Sequence, residues 1–136
     1  MSPSSPRGTK ISHVGIAVGE LAGNAAFFKQ VLGLREVDLA DSDGARIRGF
    51  DADGSLVELL TAPDADSPIG KFLAKRGPAI HHICFAVDDL DAVLGRCREA
   101  GIELVDAVPR IGAEGKRIAF LHPRSTGGIL IELSEH

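Results

Sequence analysis

The stretch KISHVGIAVGEL at residues 10–21 decides the fold, because the chain nearly repeats it as AIHHICFAVDDL at residues 79–90. His82 lies 69 residues after His13, and the apolar residues around the two histidines match at the same spacing. Both stretches are rich in β-branched and other apolar residues, which predicts a β-strand in each. A repeated strand with a histidine at the same place predicts two copies of one folding unit.

The composition of the 136-residue chain is that of an ordinary globular protein, with 44% hydrophobic and 25% charged residues. The net charge is −4, the basic residues are scattered, and the aromatic residues are six Phe without Trp or Tyr, so no nucleic-acid partner is expected. No apolar run approaches the roughly 20 residues that a bilayer span needs, so no membrane partner is expected. Cys84 and Cys97 fall in apolar patterns, which favours reduced packing residues in a cytoplasmic protein.

The predicted order of elements is βαβββ, a connecting helix and a second βαβββ, which makes an α+β fold. Residues 1–10 are rich in Ser and Pro and are expected to form a disordered leader. A single domain is expected at residues 11–134, built from modules at about residues 11–62 and 79–134. A connector helix at about residues 67–76 is expected to join the two modules.

Cap and turn residues place the elements of the first module and of the connector. A strand at residues 11–18 precedes a short helix that Asn24 can cap and Gly33 can end. This helix is expected to carry Ala25, Phe28, Val31 and Leu32 on one face. The three strands that follow are predicted at residues 34–40, 45–52 and 55–61, with turns at Ser42-Asp43-Gly44 and Asp53-Gly54. The connector helix is predicted from Ser67 as cap, Pro68 at the first position and Gly77 as stop.

The second module repeats this order. After the strand at residues 80–87, Asp88 or Asp89 can cap a helix that ends at Gly101. Three more strands are predicted at residues 102–108, 117–122 and 129–134.

The faces of the predicted strands bring together residue types that bind metals. Each histidine shares its face with the small residues two and four positions later, which are Gly15, Ala17, Cys84 and Ala86. Small neighbours leave room beside an imidazole, as a ligand pocket needs. Glu58 in SLVELL and Glu132 in GILIELSE lie between apolar residues, where an ionised carboxylate is costly unless something pairs with it. Two imidazoles and two carboxylates suit one divalent first-row metal.

Each of these residues alone also has an ordinary structural interpretation. A single His in a strand is more often a satisfied core or edge residue, and a single Glu usually lies on the solvent face. The repeat favours a single metal centre, shared by the two modules, over these interpretations. His81 is expected to point away from His82, His122 in FLHPRSTGG either lines the pocket or ends a strand, and His136 is expected to be a free terminus.

The paired modules, with His and Glu on their first and last strands, resemble the vicinal oxygen chelate superfamily, which includes glyoxalase I and the extradiol dioxygenases. The stretches HVGIAV, VELL, DSPIGKFLAKRG, IHHICFAVDDLDA and GKRIAFLHPRSTGGILIEL are similar to those of its methylmalonyl-CoA epimerase family. This resemblance implies a glyoxalase-like fold, in which a curled mixed sheet surrounds a shared metal pocket. Carried over position by position, it implies His13, Glu58, His82 and Glu132 as the metal ligands.

The resemblance also implies an enzyme of the isomerase class that interconverts (R)- and (S)-methylmalonyl-CoA. The α-proton would be removed to leave an enolate that the metal stabilises, with Glu132 as general base. Co²⁺ is the first expectation for the metal, and Mn²⁺, Ni²⁺, Zn²⁺ and Mg²⁺ are alternatives. An acyl-CoA substrate and a homodimer are implied. The CoA phosphates could meet Lys116, Arg117 or Arg124, which are equally well explained as solvated strand ends.

The sequence departs from some members of that family on the third strand. They carry a further glutamate there, as a second base, and a glutamine where Glu58 stands, whereas GARIRGF at residues 44–50 has no carboxylate. The second proton carrier therefore stays open between Glu58, His122 and a water held by one of them.

Three other functions compete with the epimerase interpretation. A glyoxalase I-type lactoylglutathione lyase would use the same four ligands. An extradiol dioxygenase would need only two His and one carboxylate, and would leave Glu58 without a role. A metal-free ligand-binding module of the same fold would not be expected to keep all four residues.

Overall fold

The computed structural model describes residues 8–136, so most of the predicted leader, residues 1–7, lies outside the described residues. The chain divides into two compact units, His13–His81 and His82–His136, and the second also includes the described residues up to Ser12. Within the described residues, no helix is long and apolar enough to span a membrane. The elements of the first half are strand β1 (Lys10–Ala17), helix α1 (Ala22–Ala26), a π-helical turn (Phe27–Val31), β2 (Arg35–Val37), β3 (Arg46–Ala52), β4 (Ser55–Thr61) and α2 (Pro68–Arg76). The elements of the second half are β5 (Ala79–Val87), α3 (Leu90–Glu99), β6 (Arg110–Ile111), β7 (Arg117–Leu121), a 3₁₀ turn (Pro123–Ser125) and β8 (Leu130–Glu135).

The sheet of the first unit has the strand order β2-β3-β4-β1. β1 runs parallel to β4, and the other neighbouring pairs are antiparallel. Phe50 and Leu59 are fully buried on the face that α1 covers, where Phe28 stacks on Phe50 with 5.8 Å between the ring centroids. The predicted Asp53-Gly54 turn joins β3 to β4, and both of its residues adopt the left-handed conformation that a two-residue hairpin needs.

The start of α1 differs from the prediction. Asn24 does not cap the helix. The Glu20 carboxylate instead accepts the backbone N–H of Gly23 at 2.9 Å, and the Asn24 side chain donates to the Glu20 carbonyl. Glu20 can do this because its longer side chain reaches the unpaired N–H groups of the first turn from outside the helix.

The end of the same helical segment also differs from the prediction. Val31 and Leu32 are exposed instead of sharing the core face with Ala25 and Phe28. From Phe27 onward the chain winds as a π-helix, in which the Leu32 N–H donates to the Phe27 carbonyl. The additional residue in this turn rotates the last residues away from the face that a 3.6-residue period predicts.

The cap pattern of α2 is found as predicted. Ser67 Oγ accepts the N–H of Gly70 at 3.0 Å, Pro68 is the first helical residue, and Gly77 follows the helix with a φ of 72°. Ile69 of α2 is buried against Ala17 and Leu60 of the first unit's sheet.

The sheet of the second unit has the strand order β5-β8-β7-β6. As in the first unit, one pair, β5 and β8, is parallel and the other neighbouring pairs are antiparallel. Helix α3 packs Leu90 and Leu94 on one face of this sheet, against Val87 and Leu133. Asp89 is the residue that caps α3, because its carboxylate accepts the N–H of Ala92 at 3.0 Å.

The strand predicted at residues 102–108 is wrong, because only Leu104 forms an isolated bridge there, to Leu121. Asp106 interrupts the ladder: its Oδ2 accepts the Phe120 N–H at 2.8 Å, which a neighbouring strand would otherwise bind. The backbone N–H groups of Val105 and Asp106 both point to the Phe120 carbonyl. Pairing with β7 resumes at β6.

The prediction of a free terminus at His136 is also wrong. Its backbone N–H donates to the Val87 carbonyl at 2.9 Å, and its Nε2 lies 2.8 Å from the Gly8 carbonyl. The imidazole is buried within the second unit.

Shortening Leu94 tests the packing of α3 on its sheet. Leu94 is 1% exposed, whereas Leu32 is 52% exposed. We expect Leu94→Ala to lower the free energy of unfolding by about 2–5 kcal/mol, because it leaves a cavity, and Leu32→Ala to lower it by less than about 1 kcal/mol. Urea unfolding measures both values, and equal losses would contradict the packing described.

Arg48 forms a two-pronged ion pair with Glu36, with both N···O distances at 2.8 Å. These hydrogen bonds hold the pKa of Glu36 below its ordinary value of 4.5. A carboxyl whose folded-state pKa is lowered stabilises the fold above its unfolded-state pKa and loses this contribution as the pH falls through the folded-state value.

Arg48→Gln should therefore destabilise the protein at pH 7, by less than about 1 kcal/mol for a pair near the surface. The difference from wild type should shrink as the pH falls below 4.5, the ordinary pKa of Glu36. Arg46→Gln, an exposed change on the same strand, is the control. Urea unfolding between pH 3 and pH 7 checks this, and a difference that does not change with pH would show that the ion pair is not its cause.

Candidate metal centre

The first unit places His13 beside Glu58. His13 lies on β1 and Glu58 on β4, and their parallel register sets Gly15 opposite Glu58, so His13 is the diagonal neighbour of Glu58 on the same face. Nδ1 of His13 is 3.3 Å from Oε2 of Glu58. Both side chains are buried.

The second unit repeats this arrangement with His82 and Glu132. In the parallel register of β5 and β8, Cys84 stands opposite Glu132, which makes His82 the diagonal neighbour of Glu132. Nε2 of His82 is 3.1 Å from Oε1 of Glu132, and both residues are buried. The structure therefore brings the four predicted residues together as two pairs, one pair within each unit.

The distances within the pairs fit two neighbouring ligands of one metal ion. Ligand atoms bound at about 2.1 Å lie about 3.0 Å apart at a right angle and about 3.4 Å apart at a tetrahedral angle. The N···O distances of 3.3 Å and 3.1 Å fall between these values. A neutral imidazole nitrogen and a carboxylate oxygen are ligands that borderline divalent metals accept. Each pair can therefore supply two ligands.

The surroundings of the two glutamates differ. Glu58 is flanked in register by Gly15 on β1 and by Gly49 on β3. The side chain of Leu39 covers Gly49, where a Cβ would lie only 2.5 Å from Leu39 Cδ1. A glycine inside a strand often marks such a close approach, so Gly49 carried a sequence signal that the prediction did not use.

Glu132 is flanked by larger residues, Cys84 on β5 and Phe120 on β7. The Phe120 ring meets the His82 imidazole edge to face, with 5.7 Å between the ring centroids. Phe120 was not among the predicted site residues, because an apolar residue in a strand carries no signal that separates a pocket wall from the core.

The two other histidines near the repeat have structural contacts. His81 packs edge to face on Phe72 of α2, with the ring centroids 4.9 Å apart. His122 Nδ1 accepts the backbone N–H of Arg124 at 3.2 Å and so caps the 3₁₀ turn. The sequence left two interpretations of His122, a pocket residue or a residue at the end of a strand, and the structure supports the second.

Two of the three basic residues considered for the CoA phosphates pair with carboxylates. The Arg117 guanidinium donates to carboxylate oxygens of Asp91 at 3.1 Å and of Glu135 at 3.2 Å. These hydrogen bonds raise the pKa of the guanidinium. Arg124 lies 3.1 Å from Glu103. Arg117 shares its face of β7 with Ala119, which packs with α3, so it lies on the face opposite Glu132.

Comparisons with known proteins find similarity over most of this chain. The sequence model of the Glyoxalase/Bleomycin resistance protein/Dioxygenase superfamily matches residues 10–133. The ethylmalonyl-CoA/methylmalonyl-CoA epimerase of Cereibacter sphaeroides is 38% identical over 132 residues, which cover 93% of this chain and 97% of that protein.

Solved structures are similar as well. The crystal structure of methylmalonyl-CoA epimerase from Mycobacterium tuberculosis has a TM-score of 0.87 at 37% identity and covers 99% of this chain and 91% of that one. A methylmalonyl-CoA epimerase in complex with methylmalonyl-CoA and NH₄⁺ has a TM-score of 0.87 at 34% identity and covers 94% of both chains. The predicted α+β, glyoxalase-like fold is therefore confirmed.

Adding metal to histidine variants tests the ligand assignment. A free Co²⁺ concentration of about 100 times its Kd should raise the free energy of unfolding of the wild type by about 2.7 kcal/mol. We expect His82→Ala to lose most of this gain because a nitrogen ligand is gone, and His122→Ala, the matched control, to keep it. Urea unfolding with and without Co²⁺ gives both values, and an undiminished gain in His82→Ala would remove His82 from the ligand set.

Proposed function

This chain belongs to the Glyoxalase/Bleomycin resistance protein/Dioxygenase superfamily, and we propose that it is an epimerase that interconverts (R)- and (S)-methylmalonyl-CoA. The observation that carries the proposal is the buried His–Glu pair, which occurs at the same place in both units. It occurs in a chain that is 34–38% identical to epimerases over most of its length.

We propose further that residues 11–134 act as one domain, in which His13, Glu58, His82 and Glu132 hold a single divalent ion. Co²⁺ is our first choice, with Mn²⁺, Ni²⁺, Zn²⁺ and Mg²⁺ as alternatives. The repeat, the burial of all four residues and the spacing within each pair support this ligand set. When bound, such an ion supplies a Lewis acid next to the oxygen on which negative charge develops.

Glu132 is the residue that we propose as general base. The α-proton of the substrate lies between a thioester and a carboxylate and is weakly acidic, so its removal needs a positioned base. Glu132 is buried and lies in register between Cys84 and Phe120, which shield its carboxylate from water. A base held in this way need not reorganise solvent when it takes the proton.

Inversion also needs a proton carrier for the opposite side of the α-carbon. The strand residues 44–50 offer no carboxylate, and His122 already accepts a backbone N–H through Nδ1. We therefore propose that Glu58, or a water that it holds, fills this role. Glu58 suits this role because it is a buried carboxylate at the place in the first unit that Glu132 has in the second.

Assembly and location are proposed on coarser grounds. The resemblance implies a homodimer, and we propose the exposed apolar residues Val105, Val108 and Ile111 as contacts with the second copy. Cys84 and Cys97 do not form a disulfide, which is typical of a reducing compartment and supports a cytoplasmic location.

Exchange of the α-proton with solvent tests the proposed function and the base together. Wild type incubated in D₂O with either enantiomer of methylmalonyl-CoA should form the other enantiomer with deuterium at the α-carbon. Glu132→Gln should slow this at least about 100-fold, since general base catalysis typically contributes 10²–10⁴. Glu135→Gln, on the same strand but facing Leu90 and Arg117, should stay near the wild-type rate.

Two results would count against the proposal. Wild-type exchange rates in Glu132→Gln with both enantiomers would show that Glu132 is not a base. Turnover of the methylglyoxal–glutathione hemithioacetal, without turnover of methylmalonyl-CoA, would identify a lactoylglutathione lyase instead.

A further inference from the structure

We infer that Arg110 is a substrate-binding residue, which holds an anionic group of the acyl-CoA. The inference rests on the proposed function and adds a residue that neither the repeat nor the resemblance indicated. Arg110 begins β6, the edge strand of the second unit, and lies outside the two His–Glu pairs.

Asp106 fixes the position of Arg110 with one oxygen and that of Phe120 with the other. Oδ1 of Asp106 accepts the Nε–H of Arg110 at 3.0 Å, and Oδ2 accepts the backbone N–H of Phe120 at 2.8 Å. The same contact interrupts the strand predicted at residues 102–108. The local irregularity of the fold therefore holds a guanidinium in a defined place.

That place lies on the sheet face that carries Glu132. Phe120 is the register partner of Glu132, and adjacent partners point to the same side of a sheet. The Arg110 guanidinium lies over the Phe120 ring, 5.5 Å from its centroid, and the same ring contacts the His82 imidazole. One aromatic ring therefore separates the guanidinium from a proposed metal ligand.

The chemistry of this position suits an anion. A guanidinium has five N–H donors in a planar fork that matches the oxygens of a carboxylate or phosphate, so one guanidinium can serve several acceptors. The Arg110 side chain is 40% exposed and can be reached by a ligand. An acyl-CoA of the malonyl type carries oxygen anions at both ends, a carboxylate at the acyl end and phosphates at the other.

Arg117 provides a matched control. Its side chain is 41% exposed, close to the 40% of Arg110, and it is also paired with carboxylates. Arg117 and Arg110 lie on opposite faces of the sheet. The partner of Arg117, Asp91, belongs to α3, which covers the face opposite Glu132. A general effect of lost positive charge would appear in variants of both arginines.

Steady-state kinetics of the metal-loaded enzyme tests the inference. Arg110→Met keeps an unbranched stem on Phe120 but removes the charge, and Arg110→Lys keeps the charge. We expect Arg110→Met to raise KM for methylmalonyl-CoA about 10- to 100-fold, the value of one or two charge-assisted hydrogen bonds, with a smaller change in kcat. Arg110→Lys should recover part of this loss, and Arg117→Met should leave KM unchanged.

A substrate without phosphates identifies the anion. If Arg110→Met raises KM equally for methylmalonyl-CoA and methylmalonyl-pantetheine, Arg110 holds the carboxylate. If only the CoA substrate is affected, it holds a phosphate. An unchanged KM for both substrates, or a loss of kcat alone in both Arg110 variants, overturns the inference. Absence of turnover in the wild type would instead overturn the proposed function.

Discussion

Two carboxylates are kept out of water in this protein, and each is kept there beside an imidazole. Burying an ionised carboxylate costs several kcal/mol unless a partner compensates, so the neighbours of Glu58 and Glu132 are constrained. The parallel pairing of β1 with β4, and of β5 with β8, meets this constraint, because it sets each histidine diagonally next to its glutamate. The βαβββ order provides this pairing in both modules, because the last strand of each module lies beside the first strand of the same module.

The two units differ in the residues that flank each carboxylate. Around Glu58 the flanking strands contribute Gly15 and Gly49, and the side chain of Leu39 covers Gly49. Around Glu132 they contribute the larger residues Cys84 and Phe120, and the Phe120 ring meets the His82 imidazole edge to face. The two carboxylates therefore have different neighbours, although the repeat places them at matching positions of their units.

The sequence predicted those parts of the fold that depend on local chemistry or on the repeat. Strand alternation placed His13 and His82 with small residues, and the cap pattern around Ser67 and Pro68 placed α2, since both signals act within a few residues. The parts that it did not predict depend on contacts between distant residues. The Asp106 carboxylate accepts the Phe120 N–H in place of a backbone carbonyl from a neighbouring strand, and the His136 imidazole contacts the Gly8 carbonyl. A π-helical turn exposes Val31, although its apolar spacing predicted a buried position. Arg110 was missed because its place near the site depends on Asp106.

The central claim is that the two His–Glu pairs hold one metal ion between them, and counting bound ions tests it most directly. Equilibrium dialysis against Co²⁺, followed by elemental analysis, should find one ion per chain in the wild type. His13→Ala and His82→Ala, each from a different pair, should both lose that ion while their far-UV circular dichroism stays unchanged. Two ions per chain in the wild type, or one ion retained in either variant, would contradict the shared centre.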